Sequence, residues 1–221
     1  MTSRTELVFI LDRSGSMGGL ENDTIGGFNS MLHKQQAAQG ECRLTTVLFD
    51  HHYELLHDRI EIKAVSPIDS SQYFVRGNTA LLDAVGQTIN KIRIAQQNTA
   101  PEYRAEKVII VITTDGMENA SSEYSAAQIR EMISRQKEQG WEFVFLGANM
   151  DAVGVAATMG IPATRSATFI NDAEGIKLNY QALSDSVASY RAAPAEARLD
   201  DSWSEAITED LRKRSKEPSK K

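Results

Sequence analysis

The sequence predicts an α/β fold in which helices cover both faces of a doubly wound, mostly parallel sheet of six strands. Two runs, residues 7–11 and 108–112, contain only branched or aromatic apolar side chains, which is typical of strands buried on both faces. Segments with apolar residues at helical spacing alternate with such strands. Each run leads into an aspartate, Asp12 or Asp115, at the end of its strand. Ligands of open α/β sheets bind at this edge, so we expect a site there.

The first half of the chain predicts three strands and one helix. After the strand that ends at Asp12, helical periodicity indicates a helix from about 20 to 38, which Gly40 ends. A second strand follows at 42–49. Only a tight turn, 50–52, separates it from the third strand, and so short a connection has no room for a crossover helix. The third strand is therefore expected to lie antiparallel at the edge of the sheet.

The second half of the chain predicts the remaining strands and helices. A loop at 64–78 leads into an amphipathic helix at 79–96, and Pro101 separates that helix from the central strand. The elements that follow are the central strand at 107–113, a helix at 125–139 with a capping box of Ser125 and Gln128, a strand at 141–146, a short helix ending at 159, a strand at 167–170 and a helix through Tyr190.

The composition changes after this last helix, where Pro194 and its neighbouring alanines are typical of a linker. We therefore expect a domain at 1–190, followed by a segment at 191–221 that holds a short helix and a strongly basic end. Trp203 and Ile207 share one side of the short helix. Two interpretations stay open: a solvated, frayed terminus, or a helix that docks on the domain or on a partner.

Charge and cysteine content narrow the functional classes. The net charge of −6 and pI of about 5.3 argue against general nucleic-acid binding, since proteins that bind the phosphate backbone usually present a basic face. The single cysteine, Cys42, excludes an internal disulfide and lies in a predicted strand. There is no apolar run of about 18 residues and no signal-peptide pattern at the start. We therefore expect a cytoplasmic protein that does not enter a membrane.

Three short motifs place oxygen-bearing side chains at strand ends or helix starts. The motifs are Asp12-Arg13-Ser14-Gly15-Ser16 after the first strand, Gly77-Asn78-Thr79 before the second helix, and Thr113-Thr114-Asp115-Gly116 after the central strand. Their candidate ligands are the side chains of Asp12, Ser14, Ser16, Thr79 and Asp115. These offer hard oxygen atoms and neither nitrogen nor sulfur, which suits magnesium, calcium or manganese better than zinc or copper.

These motifs, in this order, resemble the metal-ion-dependent adhesion site (MIDAS) of von Willebrand factor type A (vWA) domains. The resemblance covers roughly residues 5–190 and implies a Rossmann-like sheet with strand order 3-2-1-4-5-6. It implies that the hydroxyls of Ser14, Ser16 and Thr79 bind Mg²⁺ (or Mn²⁺ or Ca²⁺) directly. It implies that Asp12 and Asp115 often act through water, which leaves one coordination position open.

The resemblance also implies a non-catalytic module, in which a Glu or Asp side chain of a partner protein completes the coordination of the cation. A single intracellular domain of this kind resembles bacterial adaptors of ATPase chaperones or of stress-resistance systems such as tellurium resistance. We expect five further residues to rim the site and shape the choice of partner. They are Arg13, Glu118, Asn119, Asn149 and Asp151.

Other interpretations of the same residues stay open. Ser14, Ser16 and Thr79 are residue types that cap helices, and Asp115 with the following glycine is typical of a turn, although capping does not explain why three separate loops converge. An alternative function is a magnesium-dependent, phosphatase-like enzyme with Asp12 as nucleophile. Enzymes of the haloacid dehalogenase type usually carry a second acid two residues on, where this chain has a serine.

Two adjacent histidines, His51 and His52, suggest a further metal site. We expect them, with His57, at the edge hairpin opposite the serine motif, where polar turn residues are the favoured interpretation.

Overall fold

A computed structural model describes residues 3–215, which form one six-stranded sheet covered by helices on both faces. The strands are β1 (Thr5–Asp12), β2 (Cys42–Phe49), β3 (Tyr53–Glu61), β4 (Lys107–Thr114), β5 (Glu142–Ala148) and β6 (Ser166–Phe169). The helices are α1 (Glu21–Ala37), α2 (Leu81–Asn98), α3 (Ala126–Glu138), α4 (Ala152–Thr158), α5 (Ala173–Ala192) and α6 (Glu205–Arg214). The capping box predicted for Ser125 and Gln128 at the start of α3 is confirmed.

The sheet has the order β3-β2-β1-β4-β5-β6, with β3 antiparallel to β2 and all other pairs parallel. The predicted fold class, strand order and antiparallel edge strand are therefore confirmed. Every residue of β1 and β4 is buried, as their apolar sequences predict. The two strands are in register from Thr5 opposite Lys107 to Leu11 opposite Thr113. This register brings Asp12 and Asp115 to the same edge of the sheet.

Alternate residues of β1 contribute to two separate hydrophobic cores. Phe9 lies in the core beneath α1, α5 and α6, whereas Ile10 lies in the core beneath α2, α3 and α4. Each fully buried apolar side chain of this size contributes about 1.5–3 kcal/mol to folding. The sheet is thus fixed from both faces, and its exposed residues lie mainly in the edge strand β3 and in the loops. Among residues 3–215, no helix combines the length and the apolar character needed to cross a membrane.

The C-terminal segment packs on the domain at the amino end of β6. Leu199, Trp203 and Ile207 belong to the core beneath α5, and the Trp203 indole Nε1 donates a hydrogen bond to the Thr164 carbonyl at 2.8 Å. Whether residues 191–221 are separable from a domain at 1–190 stays a prediction. Most of the predicted basic end, residues 216–221, lies outside the described residues.

The turn between β2 and β3 lies at the same edge of the sheet as the serine motif. The Ala80 amide donates a hydrogen bond to the Asp50 carbonyl at 2.9 Å, so the turn contacts the segment that carries Thr79. The expectation that His51 and His52 lie opposite the serine motif is therefore wrong. The turn follows the carboxyl end of β2, and β2 is parallel to β1.

Candidate metal centre at the carboxyl edge of the sheet

Three loops meet beyond the carboxyl ends of β1 and β4. We call them the serine loop (residues 12–19), the threonine loop (residues 76–80) and the aspartate loop (residues 115–121). Backbone hydrogen bonds join the first two, from Gly15 N to Gly77 O at 3.1 Å and from Arg76 N to Arg13 O at 2.8 Å. Another joins the aspartate loop to the threonine loop through the Thr79 carbonyl. The three predicted motifs thus form one continuous surface.

Four of the predicted ligands form a chain of direct contacts. The Ser14 amide donates to Asp12 Oδ1 at 2.6 Å, and the hydroxyl oxygens of Ser14 and Ser16 lie 3.1 Å apart. The Ser16 hydroxyl in turn donates to Asp115 Oδ1 at 2.5 Å. Residues about 100 positions apart in sequence are therefore brought within hydrogen-bond distance.

Thr79 faces the same space across Gly116. A Cβ atom at Gly116 would lie 2.5 Å from Thr79 Oγ1 and 3.2 Å from Ser16 Oγ, so both hydroxyls are directed over the glycine Cα. Only glycine leaves this space open. All five residues predicted to bind the cation are thus brought together by the fold.

None of the three hydroxyl residues serves as a helix cap through its side chain. Ser14 precedes a short 3₁₀ turn but makes no side-chain capping bond. The N-cap of α1 is Leu20, and that of α2 is Ala80. Helix capping therefore does not account for the hydroxyls, which leaves them available as ligands.

The two carboxyl groups of the site lack a neighbouring protein cation. Asp12 is 1% exposed, and this burial raises its pKa to about 6, although hydrogen bonds from Thr114 and Ser14 partly oppose the rise. Burial also raises the pKa of Asp115. Within residues 3–215, neither carboxylate forms an ion pair with a lysine or an arginine. A bound divalent cation would supply the missing positive charge.

Arg13 lies in the serine loop but does not face the other ligands. Its side chain is fully buried, and its guanidinium pairs with Asp50 at 3.2 Å and with Glu54 at 2.6 Å. The structure therefore places this predicted rim residue in the interior, where two acids of the β2–β3 hairpin balance its charge. It is not exposed to attract an acidic ligand.

The other predicted rim residues lie in loops at this edge of the sheet, and each makes local hydrogen bonds. Asn119 Oδ1 accepts from the Thr79 amide at 2.9 Å and so helps to position a predicted ligand. Glu118 accepts from the Leu82 amide and from Ser121. Two further side chains lie past β5: Asn149 accepts from the Asn171 amide, and Asp151 caps α4.

Three residues that support the site were missed by the sequence analysis. The Thr114 hydroxyl donates to Asp12 Oδ2, and the Tyr73 hydroxyl donates to the Asp12 carbonyl at 2.6 Å. Asn171 Nδ2 donates to Asp115 Oδ2 at 3.1 Å. Only Thr114 could have been found from the sequence, because it is adjacent to Asp115. No nearby motif points to Tyr73 or Asn171.

Comparison with known proteins agrees with this geometry. Residues 6–179 match the family described as "von Willebrand factor type A domain". The chain belongs to the vWA domain family. No curated protein is similar enough in sequence to be matched to the chain. The family match covers the serine, threonine and aspartate loops but ends within α5.

Solved structures of similar fold come from adhesive and matrix proteins. Proximal thread matrix protein 1 of the mussel byssus is 14% identical with a TM-score of 0.55, and the match covers 86% of this chain and 47% of that chain. This chain therefore spans less than half of that protein. The vWF domain of the type V pili tip protein Mfa5 from Porphyromonas gingivalis is 11% identical with a TM-score of 0.59, covering 91% and 99%. The pilus adhesin SpaC from Lactobacillus rhamnosus GG is 12% identical with a TM-score of 0.61, covering 85% and 30%. At these identities the similarity shows the fold alone.

The residues present fit a small divalent cation. Three hydroxyls and two carboxylates converge, which is the hard-oxygen donor set that Mg²⁺ and Mn²⁺ prefer. Gly116 leaves the space between Thr79 and Ser16 open. Another structure of the mussel protein is described with a zinc-occupied MIDAS motif, at 13% identity. The donor set of the present chain thus fits a metal, without fixing which one.

Proposed function

We propose that this chain is a non-catalytic module that binds a partner protein through a divalent cation held by Asp12, Ser14, Ser16, Thr79 and Asp115. The observation that carries the proposal is the convergence of three hydroxyls on two carboxylates that no lysine or arginine within residues 3–215 compensates. A structural role would explain each residue singly, but it would not explain two acids left without a cation at one sheet edge.

The hydroxyl residues and the carboxylate residues have different roles, which follow from their charges. The hydroxyls of Ser14, Ser16 and Thr79 contribute oxygen atoms without formal charge, so a bound cation keeps much of its attraction for an outside carboxylate. The cation supplies that attraction. Asp12 and Asp115 hold the negative charge that retains it, directly or through water. A Glu or Asp side chain of the partner then completes the coordination, and no bond is made or broken.

The chain's own hydrogen bonds support a non-catalytic role. Both oxygens of Asp12 accept hydrogen bonds, one from the Ser14 amide and one from the Thr114 hydroxyl, and the side chain is almost fully buried. A nucleophilic carboxylate needs an open approach and an acid to protonate the leaving group. Ser14, which stands two residues on, supplies no such acid. We therefore disfavour the phosphatase-like alternative.

The compartment and the partner are also proposals. We infer a cytoplasmic compartment, which the single buried Cys42 supports. We also infer an adaptor role in a larger assembly of the ATPase-chaperone or stress-resistance type, and this rests on the resemblance to bacterial adaptors alone. The related solved structures include pilus and byssus proteins, so the vWA fold itself does not select a compartment. Of these proposals, only the acidic group on the partner follows from the chemistry of the site, because a cation with an open coordination position binds a carboxylate.

The proposal is tested with a peptide that contains a single glutamate. Its binding is measured by isothermal titration with magnesium present, with a chelator present, and with glutamine in place of glutamate. We expect binding that needs both the cation and the carboxylate and that Asp12→Ala abolishes. The Asp12→Ala variant must keep the melting profile of the wild type. Equal binding in chelator, or by the glutamine peptide, would overturn the proposal.

A further inference from the structure

A second cluster of metal-binding side chains lies beside the proposed site. Asp50, His51 and His52 form the turn between β2 and β3, and one ligand atom from each lies within 4.8 Å of the others. Nothing in the proposed function uses this cluster. The serine and threonine loops offer oxygen atoms, whereas the turn offers two imidazoles and one carboxylate. The two clusters therefore suit different metals.

The distances at Asp50 match a tetrahedral coordination shell. Asp50 Oδ1 lies 3.3 Å from His51 Nδ1 and 3.2 Å from His52 Nδ1. Ligands bound to zinc at about 2.0–2.1 Å in tetrahedral geometry lie about 3.3 Å apart. These separations also permit hydrogen bonds, so distance alone does not decide between the two.

The number of donors around Asp50 favours a metal over hydrogen bonds alone. Three nitrogen atoms surround Oδ1, from the two imidazoles and the His52 amide, and two surround Oδ2, from the Nε atoms of Arg13 and Arg76. A carboxylate offers only about four lone-pair sites. Five nitrogens therefore exceed the available acceptor sites. When the imidazole that is left over carries its proton on Nε2, its Nδ1 lone pair faces the carboxylate, and a cation between the two would remove the repulsion.

The surrounding residues hold this arrangement in place. The two guanidiniums bind Oδ2 and so direct Oδ1 towards the histidines, which is the role that outer hydrogen-bond partners play in metal sites. Gly77 has a φ of +67°, and a Cβ there would meet His51 Nδ1 at 2.0 Å. Only a glycine therefore lets the His51 ring pack at this position.

The turn also has room and access for a metal and its remaining ligands. The His51 and His52 side chains are 44% and 63% exposed, respectively. They line a cavity of about 280 Å³ whose wall also includes Asp83, Gln87 and Glu123. Water or a side chain of another molecule can therefore occupy the fourth position. The positive charges of Arg13 and Arg76 are balanced by Asp50 and Glu54, so the turn carries no excess positive charge that would exclude a cation.

We propose that Asp50, His51 and His52 form a second metal site, selective for Zn²⁺ and similar nitrogen-preferring ions, beside the hard-oxygen site. Asp50 Oδ1 and the two Nδ1 atoms supply three ligands, and the fourth position stays open. Zinc at this turn binds alongside magnesium at the serine loop, because imidazoles favour zinc over magnesium and excess magnesium competes for the hard-oxygen donors.

Zinc titration in excess magnesium tests the proposal. The test variant is His51→Gln combined with His52→Gln, since glutamine keeps a polar side chain of similar length. The matched control is His33→Gln, an exposed histidine of α1. We expect the wild type and the control to bind one zinc ion, and the double variant to bind it at least about tenfold more weakly. Zinc binding by the double variant at wild-type strength would overturn the proposal, as would the absence of zinc binding in the wild type.

A second titration separates this site from the serine loop. Zinc is added to Asp12→Ala, which removes the magnesium site, and to Asp12→Ala carrying the two histidine substitutions. We expect the first protein to keep the zinc site and the second to lose it. Loss of zinc binding in Asp12→Ala alone would show that zinc uses the serine loop and would overturn the second site. Failure of the proposed function would instead appear as a wild type that binds no magnesium.

Discussion

Asp12 is the last residue of β1, and Asp50 directly follows the neighbouring strand β2. Both side chains are buried, yet their pKa values shift in opposite directions. Burial raises the pKa of Asp12 to about 6, and no arginine or lysine in residues 3–215 pairs with it. Burial also opposes ionisation of Asp50, but hydrogen bonds from Arg76 and His52 outweigh it, so the pKa of Asp50 is lowered. The arginines thus favour the ionised form of Asp50 in the metal-free protein, whereas the ionised form of Asp12 depends on an outside cation.

The largest effect is expected when each acid is replaced by asparagine. Asp50→Asn removes one of the two acids that pair with the buried Arg13 guanidinium and leaves Glu54 as the other, so we expect the free energy of unfolding to fall by about 3 kcal/mol. Asp12→Asn removes an unpaired buried charge, so the metal-free protein should be at least as stable as the wild type above the pKa of Asp12. Urea unfolding in chelator measures both. Equal losses in the two variants would show that Asp12 and Asp50 contribute alike to stability and would contradict this prediction.

A substitution remote from both acids shows whether stability and binding are separable. Trp203→Ala opens a cavity at the amino end of β6 and should lower the free energy of unfolding by about 3 kcal/mol. Magnesium affinity should not change, because the metal centre lies at the opposite edge of the sheet. Tyr103→Ala, at an aromatic that is 60% exposed, is the control and should change neither quantity. A parallel loss of affinity in Trp203→Ala would mean that the site depends on the C-terminal segment.

The pH dependence of stability distinguishes the two acids further. The pKa of Asp12 is raised from 3.8 to about 6, so between these values the folded metal-free protein holds a proton that the unfolded chain has released. Stability from this group is therefore lost as the pH rises through about 6, by at most about 3 kcal/mol. The unfolding free energy of Asp12→Asn is subtracted from that of the wild type at each pH. We expect this difference to fall as the pH rises. Saturating magnesium should remove it, since the cation then stabilises the carboxylate. A difference that does not change with pH would contradict the raised pKa.

A smaller effect is expected from the residue that holds Asp115. Asn171→Ala removes the hydrogen bond to Asp115 Oδ2, and outer partners of this kind are worth about tenfold in metal affinity. Asn98→Ala, at the exposed end of α2, is the matched control. Magnesium titration of the two variants measures the effect. If the two variants bound magnesium equally, Asn171 would have no positioning role.

The sheet and the candidate ligands at its edge could be predicted because their signals are local in sequence, whereas Thr79 was added through the resemblance to vWA domains. Runs such as Val108–Ile112 can be buried on both faces only in a central strand, and an aspartate that follows such a run must lie at the sheet edge. The order of strands came instead from the resemblance to vWA domains. The pairing of Asp12 with Ser14 and Ser16 follows from adjacency along the chain, which needs no tertiary information.

The surroundings of the site were not predictable because they depend on directions set by tertiary packing. The sequence places Arg13 between two ligands, but its side chain is directed towards Asp50 and Glu54, which belong to another strand pair. Asn171 reaches Asp115 from 56 residues away. The position of His51, by contrast, could have been predicted, because the turn follows the carboxyl end of β2 and β2 is parallel to β1.

The central claim is that hydroxyl groups at the serine and threonine loops hold a cation, and Thr79→Val tests it most directly. Valine keeps the shape of threonine but removes the hydroxyl that faces Gly116. The matched control is Thr113→Val, because the Thr113 hydroxyl is buried without a hydrogen-bond partner among the described residues. Titration with Mg²⁺ and Mn²⁺ should show binding in the wild type and Thr113→Val and its loss in Thr79→Val, with all three proteins folded. Binding by Thr79→Val at wild-type strength would contradict the account.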